Sequence, residues 1–171
     1  VVERAFRSAD TCIFFSHDIA VVARTSYGLT ASRLRVQYPF VTMSEGDAAT
    51  DELESILSSS RKHVVYAGAM GEKQNSDQLV AFMRKAAEEI PDAEFHIFSA
   101  GPKFELWREN IGTTVPRLHF HELLPERQLA ELYARSDVQI VPQAPGTEVG
   151  SLPSKLPNLV AMGVYILALC P

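Results

Sequence analysis

Cysteine is scarce: Cys12 and Cys170 are the only two in 171 residues, with no C-x-x-C pair and no Cys/His cluster. That excludes a disulfide-stapled scaffold and a thiolate zinc site, and a reduced, cytoplasmic compartment is the expectation. Long apolar runs are also missing. The longest nearly apolar stretch, Leu159 to Cys170, has twelve residues, short of the roughly 20 that cross a bilayer. It reads as a buried helix end followed by a buried strand. Positive charge is not in excess. Sixteen Lys and Arg against 21 Asp and Glu leave a net charge of −5, so a nucleic-acid binder with a broad basic face is not expected. The start, Val1-Val2-Glu3-Arg4, carries no signal-peptide pattern. The patterns HExxH, DxD and GxGxxG are absent, as are internal repeats. Neither a metal nor a cofactor is expected. Of the five histidines (His17, His63, His96, His119 and His121), His96 and His119 fall inside predicted strands and read as packed or hydrogen-bonded groups. Trp107 reads as packing.

What remains is ordinary globular composition, 46% hydrophobic and 22% charged. A chain of this length buries roughly 68–70% of its unfolded surface. From residue 61 onward, short β-branched or aromatic runs alternate with helical periodicity. Strands are predicted at His63–Ala67, Glu94–Ser99, Arg117–His121, Asp137–Pro142 and Val164–Leu169. Helices fall between them, from Asn75 or Ser76 to Ile90, Lys103 to Asn110, Pro125 to Arg135, and Pro153 to Met162. In the first of these, Leu79, Val80, Phe82, Met83, Ala86, Ala87 and Ile90 share a face. Five strands alternating with four helices predict an α/β fold, a Rossmann-like parallel sheet with helices on both faces. Ligands in such sheets bind outside the carboxyl ends of the strands.

Residues 1–46 differ. A helix end at Glu3–Ser8, a strand at Thr11–Ser16, a helix at His17–Tyr27 and a strand at Arg33–Tyr38 cannot bury a core alone. They read as the partial tail of a preceding domain. Residues 47–60 are acidic and Ser-rich and read as a linker with about one helical turn. The stretch Gly46 to Ser60 is therefore the expected site of proteolysis. Residues 61–171 read as the second domain. The chain starts at Val rather than Met and stops after an apolar strand, so a fragment of a larger protein is expected.

Two loops carry the chemistry. Gly68-Ala69-Met70-Gly71-Glu72-Lys73 follows a strand and precedes a helix. Its glycines let backbone approach a ligand, the helix N-terminus favours phosphate, and Lys73 adds a mobile cation. The same glycines also fit an ordinary tight βα turn. In the second loop, Glu148 to Lys155, Pro153 sits at a first-turn position, leaving Ser154 and Lys155 at the start of the last helix. The helix dipole disfavours a lysine there unless an anion binds. The alternative is a lysine turned into water. Asn158, one turn on, is placed to meet a sugar hydroxyl or to stand exposed.

At these loops the sequence resembles the retaining nucleotide-sugar glycosyltransferases of family 4, which have the two-domain GT-B fold. The likeness is carried, in order, by Val65-Tyr66-Ala67-Gly68-Ala69-Met70-Gly71-Glu72-Lys73-Gln74, Phe98-Ser99-Ala100-Gly101, the stretch Ala134 to Gln143, Leu152-Pro153-Ser154-Lys155-Leu156, and Ala161-Met162-Gly163. The Pro-Ser-Lys variant is similar to the branch acting in exopolysaccharide synthesis, of the colanic-acid type. The resemblance implies a donor-binding C-terminal domain at 61–171 and the end of an acceptor-side domain at 1–46. It implies that Gly71 and Lys73 line a donor diphosphate, with Ser154 and Lys155 on its other side. The family's Glu-x7-Glu pair falls on Gly150 and Asn158, so both glutamates are absent. Asn158 then stands where the ribose would be held, and Glu148 stands near the missing first glutamate. No catalytic residue is assigned. The implied substrates are a UDP- or GDP-sugar and a saccharide or lipid-linked acceptor, with peripheral association at the inner face of the membrane. Two alternatives remain: a nucleotide-sugar epimerase of the same fold, and a non-catalytic doubly wound nucleotide-binding or regulatory module. A receiver-type module would need an acidic residue where Gly68 ends the first strand.

Overall fold

The structure is a computed structural model, described here over residues 2–41, 51–57, 60–71, 74–147 and 152–170. Its first part runs α1 (Val2–Ser8), β1 (Cys12–Phe14), α2 (His17–Tyr27), a 3-10 turn (Ala31–Arg33) and β2 (Leu34–Val36). Ser16 caps α2 by accepting the Ile19 N–H at 3.2 Å, and Gly28 ends it with φ 64°. β1 and β2 pair in parallel. Around them Cys12, Phe14, Ala20, Ala23 and Leu29 make a small core.

The second part runs α3 (Asp51–Ile56), β3 (Lys62–Ala67), α4 (Ser76–Glu89), β4 (Ala93–Ser99), α5 (Pro102–Ile111), β5 (Leu118–Glu122), α6 (Glu126–Arg135), β6 (Val138–Pro142), α7 (Leu156–Ala161) and β7 (Tyr165–Leu169). The five predicted strands pair in one parallel sheet, in the order β5-β4-β3-β6-β7. Chain order thus runs outward from β3 to one edge and then from β6 to the other. The switch point is the β3/β6 seam.

Each face of the sheet carries its own core. On one, Leu79, Val80, Met83 and Ala87 of α4 pack with Phe95 and Ile97 of β4 and Phe104 of α5. Trp107 packs against this cluster, as its sequence context suggested. Ile90 does not join it: it lies beyond α4 in extended conformation and is 48% exposed. On the other face, Leu132 of α6 packs with Val65, Ala67 and Phe98.

Two expectations change. β7 is not buried: among the described residues it pairs with β6 alone, and Tyr165 is 79% exposed. And the stretch with linker composition contains α3, whose Leu53 and Leu57 are buried against Val65, Ala67, Phe98 and Leu132. The acidic, Ser-rich composition hides Leu53, Ile56 and Leu57, which stand at i, i+3 and i+4 and line one helical face. Leu53→Ala is therefore expected to cost about 2–5 kcal/mol, as truncating a buried leucine does, where a solvated linker position would cost under about 0.5 kcal/mol. Urea unfolding of the two proteins measures the difference.

Candidate functional site

The β3/β6 ladder is short. Its paired positions are Val64 with Val138 and Val65 with Gln139. Beyond them, at the carboxyl ends of the strands, lies a cavity of about 470 Å³. Tyr66, Ala67 and Gly68 line it from β3 and the turn after it, and Val141, Pro142 and Gln143 from β6. Leu129 and Tyr133 of α6 and the turn Leu152–Lys155 close it. Burial pushes the Tyr133 phenol up. A second hollow of about 390 Å³ runs between α2 and β2, lined by His17, Arg24, Arg35 and Tyr38 among others. None of the donor-site candidates read from the sequence lines it.

Lys155 is the charged centre of the first cavity. The helix begins later than expected: α7 starts at Leu156, with Pro157 rather than Pro153 in its first turn. Ser154 and Lys155 belong to the turn before it, closed by Leu156 N–H donating to Pro153 O at 3.1 Å. The lysine neither points into water nor lies along the helix. Its Nζ donates to Ala67 O at 3.2 Å and Ile140 O at 2.9 Å, one carbonyl from each strand of the seam. It also stands 4.4 Å from the centroid of the Tyr66 ring. The side chain as a whole is half-buried, but its ammonium is the desolvated end. Burial pushes it down to about 7. Among the described residues it pairs with no carboxylate, so carbonyl dipoles and a ring face carry the charge.

The first loop is anchored by its neighbours. Gly68 has φ 150°. Its N–H donates to Phe98 O at 3.0 Å, and its carbonyl accepts from Ser99 Oγ at 2.7 Å. Tyr66 Oη donates to Ala69 O at 2.7 Å. Gly71 N–H donates to Gln74 Oε1 at 3.2 Å. Of the candidates read from sequence, the cavity brings together Gly68, Ser154 and Lys155. Gly71 sits behind them, contacting the cavity through Gln74. Asn158 lies half-buried on α7 and does not line the cavity. Lys73 and Glu148 lie outside the described residues. Tyr66, Gln74 and Tyr133 were not singled out. Tyr66 and Tyr133 fall inside a predicted strand and a predicted helix, and the loop that Tyr66 touches and the cavity that Tyr133 lines reveal them.

A second polar cluster was also not foreseen as a unit. On the α3/α6 face of the sheet, His63 Nδ1 lies 3.1 Å from His96 Nε2, and His96 Nδ1 lies 3.1 Å from His121 Nε2. The chain crosses β3, β4 and β5. His119 Nε2 is 2.7 Å from Glu94 Oε2, and Arg61 pairs with the same carboxylate. His96 and His119 are thus hydrogen-bonded, as their place in strands suggested. Burial, with the neighbouring histidines, pushes His96 down to about 2 and His121 to about 4. Both stay neutral in the fold while the unfolded chain titrates near 6.5. Below that pH the unfolded state binds more protons, so stability is present above about 6.5 and falls as the pH drops. By pH 5 the loss is up to about 2 kcal/mol for each of these histidines. Urea midpoints at pH 7.5, 6 and 5 read it directly, and His96→Gln is expected to flatten the slope.

The topology and the cavity at its switch point are those of a doubly wound α/β domain. The family model described as "Glycosyl transferases group 1" matches residues 61–169, and the chain belongs to that family. Solved structures agree on the fold. WaaG, a glycosyltransferase involved in lipopolysaccharide biosynthesis, superposes with a TM-score of 0.67 at 14% identity, over 92% of this chain and 44% of its own. Anabaena HepE in complex with UDP-glucose gives 0.67 at 15%, over 96% and 46%. The pneumococcal O-GlcNAc transferase GtfA, in complex with UDP and GlcNAc, gives 0.68 at 17%, over 97% and 31%. The parallel sheet flanked by helices is that of a GT-B glycosyltransferase domain. The chain spans less than half the length of each of these structures. No curated protein matches the sequence.

Proposed function

We propose that this chain contains the donor-binding domain of a retaining, family-4 hexosyltransferase, with the nucleoside diphosphate of a UDP- or GDP-sugar bound in the seam cavity. The observation that carries this is Lys155: a cation at a strand-end cavity, held by two carbonyls and an aromatic ring. An ammonium has three N–H donors. Two meet Ala67 and Ile140, and a diphosphate oxygen in the cavity would accept the third. Ser154 also lines the cavity and offers a neutral hydroxyl, and Gly68 lets the loop backbone come close. When a nucleoside diphosphate departs, negative charge grows on the oxygen of the breaking bond. A fixed cation in a partly dry site stabilises that charge. By the family resemblance, Gly71 and Lys73 would serve the diphosphate, and Glu148 and Asn158 the sugar and ribose.

The family membership and the nucleotide-bearing fold neighbours support this reading. Its finer parts are also proposals: an acceptor-side domain ending near residue 46 and a donor domain from 61, transfer to a saccharide or lipid-linked acceptor of exopolysaccharide type, and work in the cytoplasm at the inner face of the membrane.

Calorimetric titration with UDP, GDP and the corresponding nucleosides tests it. The chain is expected to bind a nucleoside diphosphate, and more weakly as the pH rises past 7, because the bound anion needs Lys155 charged. Lys155→Ala is expected to lose tenfold or more for the diphosphate and little for the nucleoside, since hydrogen bonds to charged groups contribute about 1.5–3 kcal/mol. The chain by itself is expected to transfer no sugar to an added acceptor. Unchanged diphosphate affinity in a folded Lys155→Ala protein would remove the site.

A further inference from the structure

We propose that Tyr66 is a positioning residue of this site, its ring holding the Lys155 ammonium and its hydroxyl fixing the Gly68–Gly71 loop, so that one side chain couples the two sides of the cavity. This rests on the donor-site reading above.

Three contacts carry it. The ring centroid is 4.4 Å from Lys155 Nζ. The hydroxyl donates to Ala69 O at 2.7 Å, inside the glycine loop. And the loop backbone lies directly over the phenol: a Cβ added at Gly68 would stand 3.4 Å from Tyr66 Oη. Tyr66 itself is 1% exposed and packed among the residues of the α4 face, so it has no freedom to let either partner drift. A side chain that only filled the core would not need a hydroxyl bonded to a loop carbonyl, nor its ring beneath a cation. The groups around Lys155 are few. From β3 come Tyr66 and Ala67 O, from β6 Ile140 O, and from α6 the buried phenol of Tyr133 lines the same cavity. The aromatic face favours the charged amine against the desolvation that opposes it.

Two variants of the 171-residue chain separate the roles. Tyr66→Phe keeps the ring and removes the bond to Ala69. Tyr66→Leu removes both. The first measurement needs no nucleotide: the pH dependence of Lys155 acetylation by an acylating reagent, read by peptide mass spectrometry. The wild-type midpoint is expected near 7. Tyr66→Phe should stay within a few tenths of it, and Tyr66→Leu should fall by about one pH unit, as loss of a desolvated cation–π contact implies. The second is titration with UDP and GDP below pH 7. Tyr66→Phe is expected to weaken the better ligand several-fold by freeing the loop, and Tyr66→Leu tenfold or more. A Tyr66→Leu midpoint at or above the wild-type value overturns the cation-holding role. Undiminished nucleotide affinity in Tyr66→Phe overturns the loop-fixing role. Should Tyr66→Leu fail to fold by circular dichroism, Tyr66→Phe still decides whether one side chain couples the two sides, because a packing role leaves its nucleotide affinity unchanged. If the wild-type chain binds and Lys155→Ala weakens it while the Tyr66 variants change nothing, the positioning role alone fails. If the wild-type chain ignores both nucleotides, the donor reading fails and takes the positioning role with it.

Discussion

The β3/β6 seam is the constraint on which the rest depends. Chain order reverses there, so no connection crosses the sheet's carboxyl edge at that point and the strands are free to part. They do so two pairs into the ladder. At the amino end the seam is closed by Asp137, whose carboxylate accepts from the His63 N–H at 2.8 Å and from Lys62 Nζ at 2.8 Å. Burial works against ionising Asp137, but these two donors hold it below its usual range. At the carboxyl end, Lys155 reaches back across the opening to one carbonyl on each strand. Backbone oxygens past the end of a ladder need donors, and here an ammonium supplies them. The cavity therefore exists because the ladder stops, and its cation stands there because the stopped ladder leaves carbonyls to satisfy.

Much of this was legible in the sequence, for definite reasons. The strands of the sheet are short β-branched or aromatic runs, and α4 shows clean 3.6-residue spacing from Leu79 to Ala87. Parallel order followed from the alternation, and the location of the ligand end followed from parallel order. Lys155 was conspicuous because a lysine beside a helix start is electrostatically misplaced. Its real surroundings were not legible. The carbonyls that hold it belong to residues 88 and 15 positions away in sequence, and backbone acceptors leave no mark on a sequence.

The misses share a cause. The docking of α3, in a segment expected to hold about one helical turn, was hidden because composition averages over a segment while burial depends on one face: two leucines among acids and serines suffice to dock it. The histidine chain was hidden because its members come from three strands, and only the register that sets His96 opposite His119 and Phe98 opposite His121 brings them together. β7 reads as a buried strand from its apolar residues; among the described residues it pairs with β6 alone, and Tyr165 is exposed.

A lysine in this position is costly for the unliganded fold. Desolvation pulls its titration down to about 7, and carbonyl dipoles offset only part of the cost of the charged form. An arginine would stay charged throughout, and a glutamine could satisfy the same carbonyls without any charge. What lysine offers is a charge that responds to its surroundings: an approaching dianion raises the amine's proton affinity, so binding and protonation reinforce each other, and departure of the anion relaxes both. On the proposed donor-site reading, a group that holds a diphosphate and then releases it is served by a cation whose charge is strongest while the ligand is present. The Tyr66 ring, 4.4 Å from the ammonium, favours the charged form against that desolvation.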